Sequence, residues 1–148
     1  IIEHGRVHPA IREARGRGVL FDVGHGMQSF DFAVAEAAIG EGFAPDTIST
    51  DKYARHVGSN PPHDLPRTMS KLIAAGMSEP DVFAAATSRP ARILGLAGEA
   101  GTLSVGACAD LAVLRWNERA APLADVNGIE RPGGCWEPVL TVRGGRTV

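Results

Sequence analysis

The sequence predicts an α/β fold with a short parallel sheet, followed by a smaller β-rich tail. Three observations carry that prediction. Two β-prone runs, 19–23 and 47–50, alternate with amphipathic helical patterns, the order expected of parallel strands joined by right-handed crossovers. The second run ends on a bare carboxylate, Asp51, and in parallel α/β folds the chemistry collects where strands end and loops begin. From Gly98 onward glycine becomes frequent and short β-type runs replace the helical ones.

The elements follow in order. The chain starts on Ile1, and residues 4–9 read as the middle of an exposed loop, with no partner in view for His4 or His8; the chain is therefore expected to begin partway through a larger protein. Pro9 suits the first turn of a helix over 9–18, where Ile11 and Ala14 can face a core and Gly16 and Gly18 end the run. Val19-Leu20-Phe21-Asp22-Val23 reads as a buried strand interrupted only by Asp22, for which a buried structural hydrogen bond is expected. Gly24-His25-Gly26 follows as a flexible loop. A helix then starts from Ser29 as N-cap, with Phe32, Ala35, Ile39 and Phe43 along one face and Gly40 and Gly42 at the exit. Thr47, Ile48 and Thr50 are β-branched and favour the strand that ends on Asp51.

Beyond a polar loop, Asp64 can cap a helix whose Met69, Leu72, Ile73 and Gly76 share a face. Ser78 opens another helix with Val82, Phe83 and Ala86 inward; Arg89-Pro90 breaks it, and 90–96 form one more short helix. In the tail, β-type runs occur at 109–116, 138–142 and 146–148, with Trp116 and Trp136 expected in the core. The Gly144-Gly145 pair suits a type I′ hairpin turn.

Composition narrows the function. A formal net charge of −2 gives no electrostatic case for nucleic acid or an anionic membrane, and at 5% aromatic residues the chain is poor in stacking platforms for single strands. No long apolar stretch is present to span a bilayer. Cys108 and Cys135 are isolated, without a CxxC pair, which fits a reduced, cytoplasmic setting. The acidic ladder of an EF-hand, the GxxxxGK[ST] phosphate loop and the Gly-x-Ser-x-Gly nucleophile elbow are all missing from the sequence.

Asp51 is the leading chemical candidate. A strand-end carboxylate can bind a divalent cation and take a proton from metal-bound water, although aspartate is also an ordinary turn residue. His25, between two glycines, can contact a substrate that approaches the backbone at Gly26, or can simply order its turn through hydrogen bonds. His56 and His63 lie in the loop after Asp51, and for His56 a solvated surface position is expected.

Two sets of motifs carry a family resemblance. Gly101-Thr102-Leu103-Ser104-Val105-Gly106-Ala107-Cys108-Ala109-Asp110-Leu111, with the strand it opens, resembles the segment by which amidohydrolase-superfamily enzymes pass from barrel to small β-sandwich; Val142–Val148 looks like that sandwich's last hairpin. Phe21-Asp22-Val23-Gly24-His25-Gly26, Ser49-Thr50-Asp51 and Asp64-Leu65-Pro66-Arg67-Thr68-Met69-Ser70-Lys71 together are similar to the dihydroorotase-like amidohydrolase and deacetylase subgroup.

The resemblance implies a fold: the C-terminal part of a metal-dependent hydrolase TIM barrel (its last two β/α units, 1–97) plus part of a composite β-sandwich (98–148). A complete barrel needs about 250 residues. It implies that Asp51 ends the eighth strand, binds the more buried metal and acts as the base. It implies one or two divalent ions, zinc by expectation, and hydrolysis of a small N-acyl, cyclic amide or acyl-ester substrate. The family's His-x-His pair, carboxylated Lys and two single His ligands would all precede residue 1, so the 148 residues alone are expected to be inactive. The family usually places a His shortly after the strand-eight Asp, whereas this chain reads Asp51-Lys52-Tyr53. Asp64, Pro66 and Met69 read as capping and packing residues. A homo-oligomer of the complete protein is left open. The alternatives are a non-catalytic binding or assembly module and an inactive amidohydrolase-like domain.

Overall fold

The computed structural model describes residues 1–148, with the side chain of Met27 outside the description. The chain begins with a small hairpin, β1 (Ile2–Glu3) and β2 (Arg6–Val7), rather than with the expected loop. His4 and Gly5 both take positive φ, 51° and 77°, the requirement of a two-residue primed turn. His8 has partners after all: its Nδ1 accepts from the Ala10 amide and caps α1 (Pro9–Gly16), and its Nε2 pairs with Glu3.

The central unit is β3 (Asp22–Gly24), a single turn α2 (Gly26–Ser29), α3 (Phe32–Gly40) and β4 (Thr47–Ser49). β3 and β4 are parallel, with Asp22 opposite Thr47, Val23 opposite Ile48 and Gly24 opposite Ser49. The strand expected over 19–23 starts late: Val19 and Leu20 are exposed and outside any ladder, because among the described residues β3 has a neighbour on one side only. Asp22 is likewise exposed rather than buried, yet it does make structural hydrogen bonds, accepting from Thr47 Oγ1 at 2.6 Å and Ser49 Oγ at 2.5 Å. The N-cap of α3 is Asp31, whose carboxylate accepts from the Val34 amide; Ser29 belongs to the preceding turn. The supposedly flexible Gly24-His25-Gly26 is thus a strand end running into a helical turn.

After a 3₁₀ turn (Ala54–His56), α4 (Leu65–Ala74) and α5 (Glu79–Ala86) are capped as expected by Asp64 and Ser78. The next break falls at Thr87 (φ −132°, ψ −82°), and α6 (Ser88–Ile93) begins earlier than predicted, with Pro90 tolerated in its first turn. The core gathers Phe30, Phe32, Ile48, Met69, Leu72 and Val82.

The tail forms β5 (Leu111–Asn117), β8 (Cys135–Arg143) and β9 (Arg146–Thr147) in one antiparallel sheet, ordered β5-β8-β9. Gly144 and Gly145, at φ 55° and 77°, make the turn that their sequence requires. An unpredicted pair, β6 (Leu123–Ala124) and β7 (Glu130–Arg131), sits in the excursion between β5 and β8. β5 is mostly exposed, because β8 holds the sheet against α4 while β5 lies at its edge. Trp116 and Trp136 oppose each other across β5 and β8 with ring centroids 5.4 Å apart. Trp136 packs on Phe83, while Trp116 lies over Gly134 and stays 36% exposed.

The tail is anchored to the α/β unit at specific points. Leu123 and Cys135 join its core. The Trp136 amide donates to Ser70 Oγ at 2.8 Å, and Arg131 makes a two-pronged ion pair with Glu36 at 2.5 and 2.9 Å.

Candidate active site

The site lies where β3 and β4 end side by side. Asp51 leaves β4 with φ 49°, in the left-handed region that aspartate tolerates better than most residues but still at a cost. The backbone around it is pinned. Thr50 O accepts from the Gly26 amide at 3.1 Å and from His63 Nε2 at 2.7 Å, and Ser49 O accepts from the His25 amide at 3.3 Å. The Asp51 carboxylate is exposed and accepts from the Tyr53 hydroxyl at 2.9 Å; that hydrogen bond and the negative charge push the Tyr53 phenol upward.

Gly26 has a clear steric role. It sits at φ 42°, and a Cβ there would lie 3.1 Å from Asp51 Oδ2 and from Ser29 Oγ. Glycine therefore leaves room for the Asp51 carboxylate, in addition to lining the cleft beside it.

That cleft encloses about 160 Å³ and is lined by His25, Phe30, His63, Arg67, Lys71 and Asp125, among others. His25 is only 5% exposed, so it is far from a mobile loop histidine. Its ring lies 5.2 Å from Phe30 and 5.0 Å from His63, centroid to centroid. Burial above all, then the neighbouring Lys71, His63 and Arg67, hold the imidazole down to about 3, so it is neutral near pH 7. Lys71 Nζ lies 2.8 Å from His25 Nε2. Burial, then Arg67, pushes Lys71 down to about 8 against an opposing pull from Asp125; at pH 7 it is an ammonium, which only donates. Nε2 of His25 must then accept, and the ring proton is on Nδ1. That Nδ1–H is buried with no hydrogen-bond partner among the described residues.

His56 is a correction. It is 3% exposed rather than solvated, its Nδ1 accepts from the Tyr53 amide at 3.2 Å, and its ring meets His63 edge-on at 4.7 Å. Burial, followed by His63 and Arg55, lowers its pKa. Asp64, Pro66 and Met69 take the expected places: Asp64 Oδ1 caps the Arg67 amide, Pro66 sits in the first turn of α4, and Met69 is buried.

Sequence reasoning missed Lys71, Arg67 and Asp125. Lys71 had a signal: it falls three residues after Thr68 and four before Ala75, on the buried stripe of α4. Asp125 had none, since it reaches the site from the tail. Its carboxylate accepts from the Phe32 amide at 3.0 Å and from the Asn127 and Ile129 amides at 2.8 Å each. Burial alone would raise this carboxyl, but the three amides outweigh it and hold it below the ordinary range.

As a metal ligand Asp51 has suitable chemistry, a hard and accessible carboxylate on a fixed backbone. It fits as one ligand of a larger set: among the described residues no group of three His, Cys, Asp or Glu side chains could complete a coordination sphere. Among the described residues, no helix is long and apolar enough to cross a membrane.

Comparison with known proteins places these features in a family. The amidohydrolase family model matches residues 29–148. A deacetylase of Enterococcus faecalis is 38% identical over 135 residues, which is 90% of this chain and 36% of that protein. A deacetylase of Brucella anthropi is 39% identical over 134 residues, 90% of this chain and 33% of that protein. Among solved structures, an adenine deaminase superposes with a TM-score of 0.86 at 36% identity, over 97% of this chain and 39% of that one. A dihydroorotase superposes with a TM-score of 0.78 at 34% identity, over 95% and 38%. The chain thus spans about a third of the length of the curated relatives it matches. With the family model covering most of its residues, and relatives this similar over nine-tenths of its length, this chain belongs to the amidohydrolase family.

Proposed function

We propose that the chain is the C-terminal portion of a metal-dependent amidohydrolase of the deacetylase type, acting on a small N-acyl, cyclic amide or acyl-ester substrate. The observation that carries this reading is Asp51 itself: an exposed carboxylate at the end of a parallel strand, held at φ 49° and given space by Gly26. In this reading β3 and β4 are the seventh and eighth strands of a TIM barrel, with residues 1–97 in the barrel and 98–148 in a β-sandwich. The unpaired side of β3 and the exposed Val19 and Leu20 are then surfaces for the preceding strand.

The cofactor in this reading is one or two divalent ions, expected to be zinc, which polarise the acyl carbonyl and supply hydroxide near neutral pH when bound. Asp51 would hold that group through one carboxylate oxygen and accept the proton at the other, passing it to the leaving nitrogen or oxygen. Tyr53, which donates to Asp51 Oδ2, fixes the carboxylate's orientation. His25 donates from Nδ1–H toward a bound substrate and cannot itself serve as a base, because its Nε2 is taken by Lys71. The partner is a small molecule. The two unpaired cysteines, exposed Cys108 and buried Cys135, suit a reducing cytoplasm.

The test compares the 148-residue chain with the longer protein that contains it, each supplied with Zn²⁺ and a panel of N-acetyl amino acids and acyl esters. Metal-dependent release of acid is expected from the longer protein only. Turnover by the 148 residues alone, or none by the longer protein on any acyl substrate, would contradict the proposal.

A further inference from the structure

The cleft beside Asp51 has a hydrogen-bonding imbalance that its own residues do not resolve. Lys71 is 7% exposed, and a buried ammonium is costly unless it is paired. Its recorded contacts are a hydrogen bond to His25 Nε2 and the face of Phe30, 5.4 Å from the ring centroid. Among the described residues no carboxylate lies within salt-bridge distance of Lys71, nor of Arg67 one turn earlier on α4.

The two carboxylates that line the cleft are committed elsewhere. Asp64 accepts from the Arg67 amide, and both oxygens of Asp125 accept backbone amides of the tail and of Phe32. Asp125 acts on the charge of Lys71 from a distance, with both its oxygens already accepting amides. The donors are in surplus. An ammonium carries three N–H groups and a guanidinium five, and the single donor on His25 Nδ1 has no acceptor among the described residues. Among the described residues, no hydrogen bond or ion pair brings an acceptor to the Arg67 guanidinium or to His25 Nδ1. A carboxylate supplies two acceptor oxygens in the planar arrangement that a guanidinium meets with two parallel N–H groups.

We propose that this cleft is a carboxylate subsite, in which Lys71 and Arg67, together with the His25 Nδ1–H, hold the carboxylate of a small substrate. Gly26, which lines this cleft, is also the residue whose Cβ position lies 3.1 Å from Asp51 Oδ2, so the subsite adjoins the strand end that carries Asp51. Only the identification of the bound carboxylate with the substrate's own rests on the hydrolase reading; the subsite itself does not.

The experiment is a metal-free binding titration of the chain, followed by calorimetry and by the nitrogen resonances of the His25 ring. The probes are N-acetylglycine, its neutral amide N-acetylglycinamide, and acetate. N-acetylglycine is expected to bind and shift the Nδ1 resonance, with the amide weaker by about tenfold or more, the loss expected for a charged hydrogen bond. Lys71→Met and Arg67→Gln should each weaken the acid by a similar factor and leave the amide unchanged. Arg67 is only half-buried, so its variant keeps the test available if Lys71→Met does not fold. Equal binding of acid and amide, no binding of either, or wild-type affinity in both variants would overturn the subsite. Acetate binding as tightly as N-acetylglycine would overturn its assignment to the substrate in favour of the released acid. Because neither metal nor turnover enters the measurement, failure here leaves the hydrolase proposal standing, and failure of that proposal leaves this result intact.

Discussion

Replacing Lys71 with methionine should change how stability depends on pH in a direction fixed by burial. Methionine keeps most of the apolar stem and removes the ammonium. In the folded chain Lys71 is pushed from the ordinary 10.5 to about 8. Between those two values the unfolded chain therefore binds more protons than the native one, and stability rises with pH across that window. The rise is bounded by about 3 kcal/mol, taking roughly 1.4 kcal/mol for each pH unit separating the two states. Lys71→Met abolishes it. At pH 7 the variant escapes the cost of burying a charge but leaves His25 Nε2 without its donor, a loss of about 1–3 kcal/mol. The two effects oppose each other, so variant and wild type should be of similar stability at pH 7. By pH 10 the variant should be the less stable by about 1–3 kcal/mol. Urea unfolding at pH 7, 8, 9 and 10, followed by tryptophan fluorescence, measures the difference directly, and groups that titrate alike in both proteins cancel. A difference that stays constant from pH 8 to pH 10 would refute the reasoning.

Two other perturbations test the site and its support. His25 is held at about 3 against an ordinary 6.5; between those values the unfolded chain binds the extra proton, so stability should fall as pH drops through that window. His25→Gln should flatten that fall in acid-unfolding curves. Gly101 has φ 68°, and a Cβ there would stand 2.6 Å from the Thr87 carbonyl oxygen; Gly101→Ala should lower stability by at least about 2 kcal/mol in urea.

The parts of this fold that were legible in the sequence are those decided locally. β-branching marked the strand before Asp51, Asp64 and Ser78 announced their helices by N-cap chemistry, and paired glycines fixed the last hairpin. The apolar run at 19–23 was misjudged because hydrophobicity states what favours burial, and not whether a covering layer is at hand; Val19 and Leu20 have none here. The cleft was less legible still. Lys71 and His25 are 46 residues apart, and Asp125 reaches the Phe32 amide from 93 residues away. A buried lysine is tolerable only through partners that no local pattern contains. His56 was read as a surface residue for the same reason, since a loop's polarity does not reveal that its histidines fold back on the strand end. Gly26 was associated with ligand approach, and its lack of a side chain also leaves room for the Asp51 carboxylate and the Ser29 hydroxyl, each 3.1 Å from where a Cβ would stand.

The most direct test is Asp51→Asn in the longer protein that contains this chain, scored by metal content and by hydrolysis of acyl substrates. Asparagine tolerates the left-handed backbone of this position as aspartate does, so the fold should be preserved while the anionic ligand and proton acceptor are lost. The prediction is unchanged thermal unfolding, reduced metal retention, and a fall in kcat of about a hundredfold or more, the contribution of a positioned acid–base group. An Asp51→Asn protein that keeps both its metal and its rate would contradict the assignment of Asp51 and the catalytic reading built on it.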